Sequence, residues 1–286
     1  MISENRFDRW GVDLNYATSP SNGSPLLLLH GVTRRWQTFL PVMTDLVIDW
    51  QLFAPDFRGH GKSSNSEAGY LVTDYVLDMI TFTKQFNHPF VIYGHSLGAM
   101  VAAALAATLP EQVRAVILED PPLHTMGNRI SESNLLDLFN GFLQFAGDQR
   151  NLDQIINDLS QQKLRNPQTG KEVTLGNVRD EASLRFTASC LQELDPEVLT
   201  PILAGQWLKG YETELIFRRI RCPILLIQAD TSAGGMLNDD DATQIESWSK
   251  AVSRIKLTKV DHLIHWSATQ KLINAIMEFL KSVSQD

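Results

Sequence analysis

Ser96 lies in Gly94-His95-Ser96-Leu97-Gly98, with the β-preferring run Phe90-Val91-Ile92-Tyr93 before it and an alanine-rich helical pattern after it. A serine on a sharp turn between strand and helix brings the incoming and outgoing chain close together, so the positions two before and two after must be nearly free of side chain. Gly94 and Gly98 satisfy that demand. Such a serine is a candidate nucleophile, and the helix that opens beside it turns unpaired N–H groups toward any negative charge that develops there. A serine hydroxyl is a weak nucleophile at neutral pH and needs a base, with a third group to orient the base. Among the 7 histidines, His262 follows a predicted strand directly, and His265 is its rival one helical turn later. The orienting carboxylate belongs at another strand end. Asp230 fits, after Ile224 to Gln228, with Asp120 and Glu119 as alternatives at the end of an earlier strand. The run Asp239-Asp240-Asp241 reads as a solvated helix start. An oxyanion would need two donors. The Leu97 N–H is one, and the Val32 N–H, after His30-Gly31, is placed to be the other.

These residues require a parallel sheet to hold them. Short strands are predicted over 7–10 and 12–16, and the apolar run Leu26-Leu27-Leu28-Leu29 suits a strand buried on both faces. Further strands are expected over 51–55, 115–119, 223–228 and 255–260. Helical spacing runs on from Val72 through Phe86, covers 241–252 and closes the chain over 267–280. From Leu123 to Tyr211 no comparable strand signal appears, and a helical insertion broken near 166–170 is expected. Strand and helix alternate on both sides of it, which argues for a sheet covered on two faces.

A hydrophobic fraction of 43% and a charged fraction of 20% are those of an ordinary globular protein. A net charge of -8 disfavours general affinity for nucleic acid or anionic membrane. The N-terminal residues carry mixed charge without an apolar core, and no apolar run is long enough to span a bilayer. Cys190 and Cys222 have no metal-ligand spacing and read as buried free thiols, which suits a reducing cytoplasm. The chemistry calls for neither metal nor organic cofactor, and the expected partner is a small-molecule substrate.

His30-Gly31 after the leucine strand, Asp56-Phe57-Arg58-Gly59-His60-Gly61-Lys62-Ser63, the Ser96 turn, Cys222-Pro223-Ile224-Leu225-Leu226 with Asp230, and His262 before a final helix together resemble the α/β-hydrolase superfamily. The resemblance implies an α/β-hydrolase fold, with a mostly parallel sheet, a core over 1–122 and 212–286, and a helical cap over 123–211. It also implies Ser96, Asp230 and His262 as the triad, the Val32 and Leu97 N–H groups as the oxyanion hole, and a structural role for the Asp56 to Ser63 loop. The chain departs from the family pattern in two places. Asp261 stands where glycine usually precedes the histidine, and Thr231-Ser232-Ala233-Gly234 replaces the usual Asp-x-x-x-Pro segment.

The expected activity is carboxylesterase-like: a serine hydrolase that cleaves an ester, thioester, lactone or amide. Serine where some relatives carry aspartate speaks against dehalogenase and epoxide hydrolase chemistry. Hydrolysis of a carbon-carbon bond, cofactor-free perhydrolysis and ligand sensing without turnover stay open on the same fold. Arg34 and Arg35 follow the oxyanion loop ahead of Trp36, and an arginine there either holds an anionic substrate or is solvated surface. Leu135, Phe139, Phe142, Trp207 and Tyr211 are candidate cap residues lining the pocket.

Overall fold

The computed structural model describes residues 1–165 and 169–283, of Glu132 the backbone alone. Among these residues ten strands form in chain order: β1 Ser3–Arg9, β2 Val12–Thr18, β3 Ser24–Leu29, β4 Trp50–Pro55, β5 Phe90–His95, β6 Val113–Glu119, β7 Lys163–Arg165, β8 Glu172–Thr174, β9 Ile224–Gln228 and β10 Val252–Lys256. Eight of them make one sheet in the order β1-β2-β4-β3-β5-β6-β9-β10. Only β2 runs against the rest.

The leucine run of β3 shows why this sheet is covered twice. Leu27 and Leu29 join the apolar layer on one face, and Leu26 and Leu28 join the layer on the other. The same alternation places Ile92 opposite Val91 and Tyr93, and Ile224 and Leu226 opposite Leu225 and Ile227. Three helices follow in the first half of the chain, α1 Leu40–Leu46, α2 Val72–Thr83 and α3 Leu97–Thr108, and α4 Leu135–Leu143 comes beyond β6 in the insertion. Packing of α3 against the sheet, α2 and the later helix over 213–219 buries it nearly all round, which is why alanine fills it. The remaining helices are α5 Leu152–Ser160, α6 Leu175–Val178, α7 Glu181–Gln192, α8 Thr200–Leu203, α9 Thr213–Arg219, α10 Asp239–Trp248, α11 Ile264–Ser267 and α12 Thr269–Val283. In α12, Leu272, Ile273, Ile276, Phe279 and Leu280 form the stripe that seals the second face together with α1.

Two expectations change. The 123–211 segment is not all helix: β7 and β8 pair as a small antiparallel hairpin, too short to leave a strand signal. The predicted break at 166–168 lies outside the described residues. Strand β10 also ends at Lys256, not Val260. Lys259 takes a positive φ of 60°, and residues 257–260 form a turn held by Leu257 N–H to Gln228 O (2.9 Å) and Asp230 N–H to Val260 O (2.9 Å). No helix among the described residues is long and apolar enough to cross a membrane.

Candidate active site

Ser96 sits between β5 and α3 with φ 55° and ψ -117°, a conformation a side chain rarely tolerates. Its surroundings enforce that turn. A Cβ on Gly94 would fall on the Gly98 carbonyl, and one on Gly98 would fall on the Leu29 carbonyl. The Ser96 N–H is anchored to Glu119 O at 2.9 Å, which ties the turn to β6.

The loop after β3 brings Val32 to the same place, and two histidines hold it there. His60 donates from Nδ1 to Arg58 O (2.9 Å) and accepts the Thr33 N–H at Nε2 (3.2 Å). His30 donates from Nδ1 to Gly31 O (2.8 Å) and accepts the Phe57 N–H at Nε2 (3.0 Å). Both rings must be neutral to accept at Nε2. Burial favours that form, lowering the His60 pKa to about 4 and that of His30 well below its ordinary value. Asp56 supports the loop by accepting the Trp36 N–H at 2.8 Å and the Asn15 amide at 2.8 Å, and burial pushes its carboxyl up to about 6. The family resemblance implies a structural role for the 56–63 loop; it does not reveal that His30 and His60 fix the Val32 turn. Neither the Val32 nor the Leu97 N–H finds a protein acceptor among the described residues.

His262 Nδ1 lies 2.6 Å from Asp120 Oδ2. Asp120 follows β6 with a positive φ of 45°, and its fully buried carboxylate also accepts the N–H groups of Ala229 (3.1 Å), Met236 (2.7 Å) and Leu237 (3.2 Å). Three N–H groups therefore fix the anion that orients the imidazole. The expectation for Asp230 is overturned. Its carboxylate takes Ser232 N–H (2.9 Å), Ser232 Oγ–H (2.7 Å) and Lys259 N–H (2.8 Å), so it shapes the turn that leads to His262 and does not touch the ring. The Lys259 N–H, then Ser232, hold that carboxylate below the usual range.

Ser96, His262 and Val32 line one cavity of about 540 Å³, whereas Asp230 lies outside its lining. The Ser96 hydroxyl makes no hydrogen bond to His262 among the described residues, and such bonds tighten when substrate binds. Leu135, Phe139 and Phe142 supply apolar walls as expected. Trp207 and Tyr211 do not. Trp207 is buried in the core, and the Tyr211 hydroxyl donates to Met100 O at 2.8 Å, so both fasten the insertion to the sheet domain. Arg35 pairs with Glu193, and Trp36 is buried with its indole N–H on Glu4 at 2.8 Å; Arg34 lines the cavity.

Behind this cavity lies a second carboxylate-histidine pair. His265 Nδ1 and N–H contact Glu119 Oε1 at 2.8 and 3.0 Å, His265 Nε2 meets Thr38 Oγ1 at 2.8 Å, and the Tyr93 hydroxyl donates to Glu119. His95 stands between the two pairs, its ring 4.6 Å from those of both His262 and His265, and donates from Nε2 to His262 O at 3.0 Å. Burial holds His95 neutral. His95, Glu119 and His265 could in principle surround a metal ion, but the Glu119 and His265 atoms are already engaged with each other and with Tyr93 and Thr38.

Comparison with known proteins agrees with this architecture. The family model described as alpha/beta hydrolase fold matches residues 24–269. A serine hydrolase-like protein from Danio rerio is 25% identical over 97% of this chain and 87% of its own length. The 2-(acetamidomethylene)succinate hydrolase of Mesorhizobium japonicum is 34% identical over 40% of this chain and 41% of its own. Among solved structures, N-formylmaleamic acid deformylase from Pseudomonas putida S16 superposes with a TM-score of 0.75 at 17% identity, covering 96% of this chain and 100% of that one. The match of the family model over most of the chain, on a sheet of this order with a serine at this turn, makes the protein a member of the α/β-hydrolase fold family.

Proposed function

We propose that the protein is a serine hydrolase acting on a small-molecule ester, thioester, lactone or amide, with Ser96 as nucleophile, His262 as base and Asp120 as the orienting acid. The observation that carries this reading is the 2.6 Å contact of His262 Nδ1 with a buried, fully bonded Asp120, on a ring that shares a cavity with the strained Ser96. With Nδ1 donating to Asp120, Nε2 is the nitrogen left to take the Ser96 proton as Oγ attacks the carbonyl carbon. The oxyanion then accepts from the Val32 and Leu97 N–H groups, helped by the positive end of α3. His262 returns its proton to the leaving group, and water, deprotonated by the same ring, releases the acyl group from Ser96. Segment 123–211 acts as the cap, with Leu135, Phe139 and Phe142 facing the acyl chain. The names of the relatives state hydrolase and deformylase activities, which suits carbonyl cleavage.

The test is labelling with a fluorophosphonate probe, together with turnover of short and medium acyl 4-nitrophenyl esters. Wild type should be labelled and turn over, and Ser96→Ala should do neither. Absence of labelling would sink the reading. Labelling without turnover of any carbonyl substrate would favour a ligand receptor on the same fold.

A further inference from the structure

Arg34 is two residues beyond Val32 and lines the cavity that holds Ser96 and His262. Its guanidinium donates from Nη1 to the Thr187 hydroxyl at 2.8 Å and lies against the Cys190 thiol, and no carboxylate lies within ion-pair distance of it among the described residues. Its neighbours are provided for. Arg35 is paired with Glu193, and Arg179 with Asp261 at 2.7 Å. Asp261, the one acidic residue in the cavity lining among the described residues, is further engaged by Ser267 Oγ–H (2.8 Å) and Leu263 N–H (3.2 Å). Cys190, close to Arg34, supplies no counter-charge, because burial pushes its thiol up to about 11. Among the described residues the charged lining is thus Arg34, Arg165 and Arg179 against Asp261, a cationic pocket in a chain of net charge -8.

A half-buried guanidinium turned to a cavity, reached by Asp261 only from beyond ion-pair distance while that carboxylate is paired with Arg179, carries a desolvation cost that a ligand anion would offset, and its planar fork matches a carboxylate. We propose that Arg34 is a specificity residue that binds a carboxylate on the acyl part of the substrate, so the preferred substrates are half-esters or half-amides of short dicarboxylic acids. Its place next to the Val32 donor, which faces the carbonyl oxygen, argues for the acyl part. The proposal rests on the serine hydrolase reading for its chemistry, but not for the anion site itself.

The experiment has two readouts. The first is the ratio of kcat/KM for 4-nitrophenyl hydrogen glutarate over 4-nitrophenyl valerate, an acyl chain of matched length without the charge. In wild type this ratio should exceed one; Arg34→Gln should lower it about tenfold or more, and Arg34→Lys should recover part of the loss. The second is calorimetric binding of glutarate to Ser96→Ala with and without Arg34→Gln, where affinity should fall about tenfold. It needs no turnover, so an intact glutarate site on a protein inert to fluorophosphonate would sink the hydrolase reading and leave the anion site standing. If Arg34→Gln does not fold, Arg34→Lys takes its place, and loss of the fork must still lower both readouts. A ratio unchanged by substitution, or glutarate binding indifferent to it, overturns the proposal.

Discussion

Glu119 and Asp120 are consecutive residues at the end of β6, and each carries a histidine: Glu119 holds His265, Asp120 holds His262. The two pairs are close in chemistry and differ in setting. His265 and Glu119 are wholly buried, and both ring nitrogens of His265 are engaged, one by Glu119 and one by Thr38. His262 retains some exposure at the cavity wall and has a nitrogen to spare. Successive residues at a strand end turn opposite ways, so Asp120 reaches the histidine on the cavity wall and Glu119 the histidine in the core behind it. A carboxylate-histidine pair is therefore not a reactive site by itself. What separates these two is access to Ser96 and a free Nε2.

The largest effect should separate the histidines. His262→Gln should lower kcat about 10⁴-fold or more, as loss of a triad base does elsewhere. His265→Gln should retain kcat within about tenfold while the melting temperature falls by a few degrees, because one buried partner is left unsatisfied at a cost of about 1–3 kcal/mol. Kinetics and melting curves on both variants decide this, and equal kinetic losses would erase the distinction. Glu119→Gln carries the same expectation from the acid side: a stability loss of about 1–3 kcal/mol in denaturant titration, with activity largely kept.

A third prediction concerns pH and the loop that holds Val32. His30, His60 and His95 are held below their ordinary pKa by burial, His60 at about 4, so the unfolded chain binds more protons than the folded one between about 4 and 6.5. Their contribution is complete above about 6.5 and is lost as pH falls toward 4. Asp56, raised to about 6, works in the opposite sense, since its protonation on acidification favours the folded state. Three groups against one predict a net decline in melting temperature from pH 7 to pH 4.5. Replacing His60 by Gln, whose amide oxygen can accept the Thr33 N–H, should flatten part of that decline. A profile that is flat in wild type would contradict the assignment of neutral, accepting rings.

Much of this was legible from residue types and spacing. The strand-turn-helix at Ser96 is written in Gly94 and Gly98, and the double-faced sheet in Leu26 to Leu29, because steric exclusion and burial act locally or along one strand. The acid was not, because spacing gives strand ends and says nothing of which carboxylate turns toward a distant ring. Asp120 and Asp230 both follow strands, and the choice depends on the positive φ at Asp120 and on three N–H groups from 229 to 237 that converge on it. Two signals pointed the right way: the missing proline pattern after Asp230, and Pro121-Pro122, which follow Asp120 at the end of β6. The turn at 257–260 misled in the other direction, since Ile255 to Val260 reads as one strand until Asp230 is seen to accept the Lys259 N–H at 2.8 Å.

The orienting role of Asp120 is tested most directly by measuring kcat for Asp120→Asn and Asp230→Asn on one nitrophenyl ester, with melting curves to confirm folding. Asp120→Asn should lose about 10³–10⁴-fold, the effect of an acid that sets the tautomer of its histidine, and Asp230→Asn should stay within about threefold, since its hydrogen bonds serve a surface turn. A folded Asp120→Asn with near-normal turnover, alongside an Asp230→Asn that has lost it, would contradict the account.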